Sequence, residues 1–247
     1  MLEAKGITKR FGGLVAVNQA DLTVSHGEIV ALIGPNGAGK TTCFAMLSGF
    51  LKPDQGSINF DGGDITGLKP HAICARGMVR TFQIVKPFAH LTVRENIAVG
   101  AHAHIADRQA ALEQASSIAE RVGMTKLLDQ QAASLTVAGR KRLELARALA
   151  TGPKLLLLDE VMAGLNASEI SSIVENIKAI RDSGVTILLI EHVMQAVMSL
   201  SDRAYVLNNG EMIAEGSPAE IAANPAVIEA YLGHGAAARI AAGGAHA

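Results

Sequence analysis

Along the first third of the chain, apolar residues come in short strand-like runs: Leu2 to Ile7, Asp21 to Val24, Ile29 to Ile33 and Ser57 to Phe60. Gly12-Gly13, Gly27 and Gly62-Gly63 break them, the punctuation of turns. The pattern predicts a small antiparallel sheet leading into a first central strand. From about Thr92 to Ala150 the β-branched alternation fades and helix formers take over, as in Ala106 to Val122 and Lys141 to Ala150. A helical insertion is expected there. After Pro153, the run Leu155 to Leu158, a helix over about Ala167 to Asp182 and the run Val185 to Ile190 give the strand-helix-strand order of a parallel sheet covered on both faces. The expected fold is therefore α/β, one domain over residues 1–232, with a sheet core from about 1–85 and 154–232 and a helical subdomain over about 86–153. Residues 233–247 are nearly all Gly and Ala without periodicity and read as a frayed end.

Composition narrows the function. The chain has 247 residues, 49% hydrophobic and 18% charged, enough apolar length to bury a full core. A formal net charge of -1 supplies no broad positive field for nucleic acid, so none is expected as a partner. With aromatics at 3% and no Trp, neither base-stacking platforms nor membrane aromatic belts are supported. Mean hydropathy is high at +0.27. Yet the apolar runs stop at Asp159 and Glu191, far short of the roughly 20 residues that a spanning helix needs. The start Met1-Leu2-Glu3-Ala4-Lys5 places charges where a signal peptide needs an apolar core. Cys43 and Cys74 lack metal-ligand spacing and read as reduced, mostly buried thiols. A cytoplasmic location is expected.

Two motifs carry chemistry. Behind the run ending at Ile33 stands Gly34-Pro35-Asn36-Gly37-Ala38-Gly39-Lys40-Thr41-Thr42, which fits the G-x4-G-K-S/T phosphate loop. The glycines let successive backbone N–H groups turn inward around a phosphate, and the helix starting near Lys40 adds its positive end. In such a loop Lys40 would reach the β- and γ-phosphates of a bound nucleotide and the Thr41 hydroxyl would ligate Mg2+. The second motif is Leu155 to Leu158 followed by Asp159 and Glu160, a buried strand ending in two acids. Asp159 is expected to hold Mg2+, and Glu160 to orient and polarise the attacking water. Taken alone, such an acid pair is more often a helix cap.

Further segments stand in a telling order: Phe82-Gln83, then Ser134 through Leu149, then Ala163-Gly164-Leu165-Asn166, then His192 at a strand end. With the two motifs, they make the chain resemble the ATP-binding subunits of ABC transporters over residues 2 to 232. More narrowly, the chain is similar to those of bacterial branched-chain amino acid importers. That likeness lies in Arg80-Thr81-Phe82-Gln83, Arg94-Glu95-Asn96-Ile97, Arg142-Leu143-Glu144-Leu145-Ala146-Arg147, Ile190-Glu191-His192 and Asn224-Pro225 through Ala230-Tyr231-Leu232-Gly233.

The resemblance implies an ABC ATPase fold, a P-loop core with a mixed sheet, an antiparallel β subdomain and an inserted helical subdomain. It also implies ATP hydrolysis that powers a membrane importer, with Mg2+ held by Thr41, Gln83 and Asp159. Phe11 becomes the aromatic on which adenine stacks, although it could also be a core residue. Gln83 becomes a residue at the Mg2+ and the membrane-subunit groove, and His192 the switch at the γ-phosphate, where an isolated His usually caps a helix. A second copy or a paralogue would offer its signature loop, Leu135, Thr136, Val137, Ala138 and Gly139, to the ATP held by Lys40. Transmembrane permease subunits, and indirectly a solute-binding protein, are the other partners implied, at the cytoplasmic face of the inner membrane. Ile84, Val85, Pro87, Phe88 and Leu91 are expected to form a partly exposed patch that receives a permease helix.

The signature loop departs from the usual L-S-G-G-Q. Thr136 keeps the hydroxyl, but Val137 and Ala138 replace both glycines, and a Cβ at Ala138 is expected to weaken dimer closure modestly, Val137 somewhat less if its side chain points away. This leaves a second reading, a nucleotide-binding regulatory subunit with weak hydrolysis. His102 and His104 are expected to face solvent.

Overall fold

In the computed structural model, which describes residues 1–233, the elements in chain order are β1 (Leu2–Phe11), β2 (Leu14–Val24), β3 (Ile29–Ile33), α1 (Lys40–Leu47), β4 (Gln55–Phe60), β5 (Gly63–Asp64), α2 (Pro70–Ala75) and β6 (Met78–Arg80). There follow α3 (Val93–Ala101), α4 (Arg108–Arg121), α5 (Val137–Ala150), β7 (Leu155–Asp159), α6 (Ala167–Asp182) and β8 (Thr186–Ile190). The last are α7 (Met194–Leu200), β9 (Arg203–Asn208), β10 (Glu211–Gly216), α8 (Pro218–Ala223) and α9 (Pro225–Leu232). Packing divides the described chain into two compact units, Met1–Leu68 with the residues from Leu188 onward, and Lys69–Ile187. The division expected from sequence, near 86 and 153, separates strand-rich from helix-rich chain, which is a different criterion. The Gly/Ala tail read as frayed lies, from residue 234, outside the described residues.

In the first unit, an antiparallel sheet runs in the order β2-β1-β4-β5. β1 pairs with β2 from Leu2↔Val24 to Phe11↔Leu14. The two-residue Gly12-Gly13 turn thus extends both strands beyond the runs read from sequence. The same unit holds β10-β9-β3 in sequence of pairing, with β3 parallel to β9 and β10 antiparallel to it, a mixed sheet. Every residue of β3 is buried, as a continuous apolar run in a covered parallel sheet requires.

In the second unit, β6 pairs in parallel with β7 from Met78↔Leu155 to Arg80↔Leu157, and β7 is buried throughout. The strand β6 stops at Arg80, short of Phe82-Gln83. The reason is local: the Phe82 N–H is taken by the Glu144 carboxylate at 2.6 Å instead of a strand partner. Helix α6 has the expected bounds and opens on a reciprocal cap between Asn166 and Glu169. Helix α3 opens on the same device, Thr92 with Glu95. Helix α5 begins at Val137, ahead of the helix-forming run from Lys141, because the Thr136 hydroxyl accepts the Gly139 N–H at 3.1 Å and caps the helix there.

Candidate functional site

The loop from Gly34 to Thr42 joins β3 to α1 within the first unit. Its backbone takes conformations open only to glycine. Gly39 lies at φ +106, and a Cβ there would stand 2.3 Å from the carbonyl oxygen of Ala16. At Gly34, φ +151, a Cβ would stand 2.0 Å from the Leu207 oxygen. The loop is therefore pressed against β2 and β9 by the absence of side chains. Gly39 is also the N-cap of α1 and offers no side-chain cap, and the first turn carries no acid. Nothing of the helix's own thus competes with an anion for the first N–H groups. Lys40 is buried, and its ammonium donates to the carbonyls of Gly34 at 2.7 Å and Pro35 at 2.9 Å. Those bonds hold the cation over the loop it serves. Cys43, one turn into α1, is fully enclosed, and burial pushes its thiol up to about 12. It is a buried, inert thiol as expected, whereas Cys74, also free, is only half-buried.

Phe11 ends β1 with 48% of its surface exposed and the Lys9 ammonium 5.9 Å from its ring centre. It is therefore a surface ring and no core residue. His192 is exposed between β8 and α7, and the N-cap of α7 is Val193, with no side-chain cap. His102 and His104 are exposed, as expected.

The second unit gathers Gln83, Asp159 and Glu160. Asp159 is 4% exposed at the end of β7, where its Oδ2 receives Arg80 at 2.6 Å. Glu160 follows with φ +48, a left-handed backbone rare for a residue with a Cβ. Such a conformation persists where the surroundings over-determine it. Here the Gln83 amide Nε2 donates to Glu160 Oε2 at 2.5 Å, and the Glu160 carbonyl accepts both the Lys141 ammonium at 3.1 Å and the Ala163 N–H at 3.2 Å. Lys141 also donates to the Gln83 carbonyl at 3.1 Å. Burial pushes the Glu144 carboxyl above its ordinary value, and the Phe82 N–H and the Lys141 and Arg147 charges offset part of that rise.

Thr136 caps α5, and the two residues after it face opposite ways. Val137 is 52% exposed while Ala138 is 7% exposed. The Ala138 Cβ is buried, and of the two side chains Val137 is the one at the surface. Downstream of Gln83, Ile84 is 72% exposed, Phe88 is exposed with Arg147 4.9 Å over its ring, and Val85, Pro87 and Leu91 are half-buried. Asn96 fixes this segment from below by accepting the Phe88 N–H at 2.9 Å and donating to the Phe88 and Thr92 carbonyls.

Sequence reading missed Arg80, Lys141 and Glu144 as parts of the site. One signal was available for Lys141. It falls on the apolar stripe of α5 formed by Ala138, Leu145 and Leu149, and a charge on a core-facing stripe asks for a partner.

Comparison with known proteins settles the family. Residues 17–163 match the family model described as "ABC transporter", and residues 211–237 match that of the "Branched-chain amino acid ATP-binding cassette transporter". The chain belongs to the ABC transporter family. The cassette is 43% identical to the high-affinity branched-chain amino acid transport ATP-binding protein BraF of Pseudomonas aeruginosa, over 94% of this chain and 98% of that one. It is 45% identical to LivG of Salmonella typhimurium, named for the same transport, with the same coverage. Among solved structures, a nucleotide-free ATP-binding cassette from an ABC transporter superposes with a TM-score of 0.86 at 32% identity, covering 94% of the cassette and 98% of that chain. A second, in its ADP conformation, gives 0.86 at 32% identity, covering 95% and 99%. The resemblance read from the motifs is borne out, and the fold is that of an ABC ATPase with a mixed and an antiparallel sheet. Among the described residues of the cassette, no helix is long and apolar enough to cross a membrane.

Proposed function

We propose that this protein is the ATP-hydrolysing subunit of an importer of branched-chain or related amino acids, held at the cytoplasmic face of the membrane by permease subunits. The observation that carries this reading is similarity along nearly the whole chain to relatives named for that transport, joined by the separate match at residues 211–237.

The residues support the chemistry as follows. ATP is held by the loop Gly34–Thr42, with adenine on the exposed Phe11 ring. Lys40 exchanges the Gly34 and Pro35 carbonyls for β- and γ-phosphate oxygens, a gain because a charge-assisted bond is the stronger one. Thr41, Asp159 and Gln83 offer hydroxyl, carboxylate and amide oxygens, the hard donors that suit Mg2+. When bound with ATP, that ion neutralises charge on the phosphate oxygens. The Glu160 carboxylate orients and polarises the attacking water, and His192 senses the γ-phosphate. Leu135 to Gly139 of a second cassette, through Thr136 and nearby N–H groups, complete the phosphate shell. The patch at Ile84 and Phe88 receives a permease helix.

ATP hydrolysis by the full chain, alone and with its membrane subunits, tests the reading. Glu160→Gln keeps ATP affinity while turnover falls about a hundredfold or more, since the amide fits but cannot polarise water. Lys40→Ala instead weakens ATP binding about tenfold or more. Unchanged turnover in Glu160→Gln refutes the role of that residue. A wild-type chain that binds ATP but never hydrolyses it returns the regulatory-subunit reading.

A further inference from the structure

Three sequence-distant segments meet on one face of α5. Lys141, 7% exposed, donates to the Gln83 carbonyl and to the Glu160 carbonyl, both at 3.1 Å. Glu144, one turn further along the helix, accepts the Phe82 N–H at 2.6 Å. The two peptide groups around Phe82 and Gln83, and the carbonyl of the left-handed Glu160, are thus gripped by side chains of the helix that opens on Thr136. The opposite arm of the same ring is the Gln83 amide on the Glu160 carboxylate. Gln83, Glu160 and α5 therefore form a closed loop of hydrogen bonds with Lys141 at its centre.

We propose that Lys141 is a positioning residue for ATP hydrolysis, tying the helix behind the signature loop to Gln83 and Glu160 so that the water-polarising carboxylate takes its place from that helix. This rests on the reading of Glu160 given above. A buried ammonium is an unusual choice for the task, because its desolvation is costly unless its protons are engaged. Two carbonyls on separate segments engage it here, and an apolar side chain would leave both of them without that donor. The consequence is directional. A displacement of α5 is carried directly to the Glu160 carbonyl by Lys141, while the loop that binds the phosphates belongs to other elements. Loss of Lys141 therefore shows in turnover and leaves nucleotide affinity unchanged.

The test measures steady-state hydrolysis and equilibrium ATP binding of the full chain for Lys141→Met and Lys141→Gln, beside Glu160→Gln. In Lys141→Met, kcat falls about tenfold, less than the hundredfold that an ångström of misplacement can cost, with KM and the ATP dissociation constant within about twofold of wild type. Lys141→Gln keeps a neutral donor and lies between. Lys141→Met added to Glu160→Gln lowers turnover by less than about twofold more, because the two changes act on one group. Wild-type kcat in Lys141→Met overturns the proposal, and so does a loss that appears as a raised KM. If Lys141→Met does not fold, Lys141→Gln decides: a lowered kcat at constant KM supports the tie, and an unchanged kcat overturns it. Should Glu160→Gln itself retain turnover, the reading of Glu160 fails, whatever Lys141 shows.

Discussion

The phosphate loop takes its shape from its own backbone, whereas the Gln83 and Glu160 pair takes its shape from side chains far away in sequence. Between Gly34 and Lys40 the determinants are glycine torsions and a lysine folded onto carbonyls of its own loop. Around Glu160 they are Gln83, Lys141 and Arg80, which arrive from two other segments. A loop built from torsions tolerates no Cβ at its tight points, where it lies against Ala16 and Leu207, and the Gly210 N–H donates to its Ala38 carbonyl at 2.9 Å. A network built from side chains is adjustable, and a helix that moves can retune it. The first suits constant binding of a phosphate chain, and the second suits a catalytic step that must answer to a partner.

This contrast is most easily broken at Gly39. With φ at +106 and a Cβ 2.3 Å from the Ala16 oxygen, Gly39→Ala must either distort the loop or push β2 away. We expect a loss of about 3 kcal/mol in stability, together with loss of measurable ATP binding, read by thermal melting and nucleotide titration. A variant that melts and binds like wild type would show that the loop's shape does not come from its backbone. The network side predicts the opposite pattern, with lowered turnover and intact binding.

A smaller effect separates the two residues after Thr136. The side chain of Val137 faces outward and that of Ala138 inward, at 52% and 7% exposure. In the hydrolysis-deficient Glu160→Gln form, Val137→Gly is expected to tighten ATP-dependent pairing several-fold, measured by sedimentation. Ala138→Gly leaves pairing unchanged and lowers stability by about 0.5–1 kcal/mol, the cost of Gly in a helix. Tighter pairing in Ala138→Gly would restore the view that its Cβ meets the partner.

What sequence makes legible follows the same line. The phosphate loop, the buried runs of β3 and β7 and the helix Ala167–Asp182 are each specified by contiguous residues, so spacing and periodicity suffice. The roles of Lys141 and Glu144 are not legible in that way. Their partners lie 58 and 62 residues away, a distance that no local pattern encodes. The start of α5 is hidden for a different reason. Val137 and Gly139 are poor helix formers, and one hydroxyl, Thr136, overrides them by capping. The left-handed backbone of Glu160 is likewise set by tertiary contacts, since nothing about a glutamate after an aspartate announces it.

The smallest effect expected lies at Glu144 and depends on pH. Its carboxyl titrates above the ordinary value of 4.5 because burial outweighs the help from the Phe82 N–H, Lys141 and Arg147. For an acid with a raised folded value, the folded chain holds its proton more tightly than the unfolded chain does. Stability is then highest below the unfolded value and declines as pH rises through the folded one. Glu144→Gln removes that decline while its amide oxygen can still accept the Phe82 N–H. The variant is therefore expected to melt about 1–2 °C above wild type at pH 7, with the difference closing as pH falls below the unfolded value. Its turnover stays within about twofold, because the grip on the segment before Gln83 survives. Glu144→Leu, which cannot accept that N–H, is expected to lose turnover at either pH. If Glu144→Gln instead melts below wild type at pH 7, the charged bond to the Phe82 N–H outweighs burial. The network would then draw stability as well as position from its carboxylate.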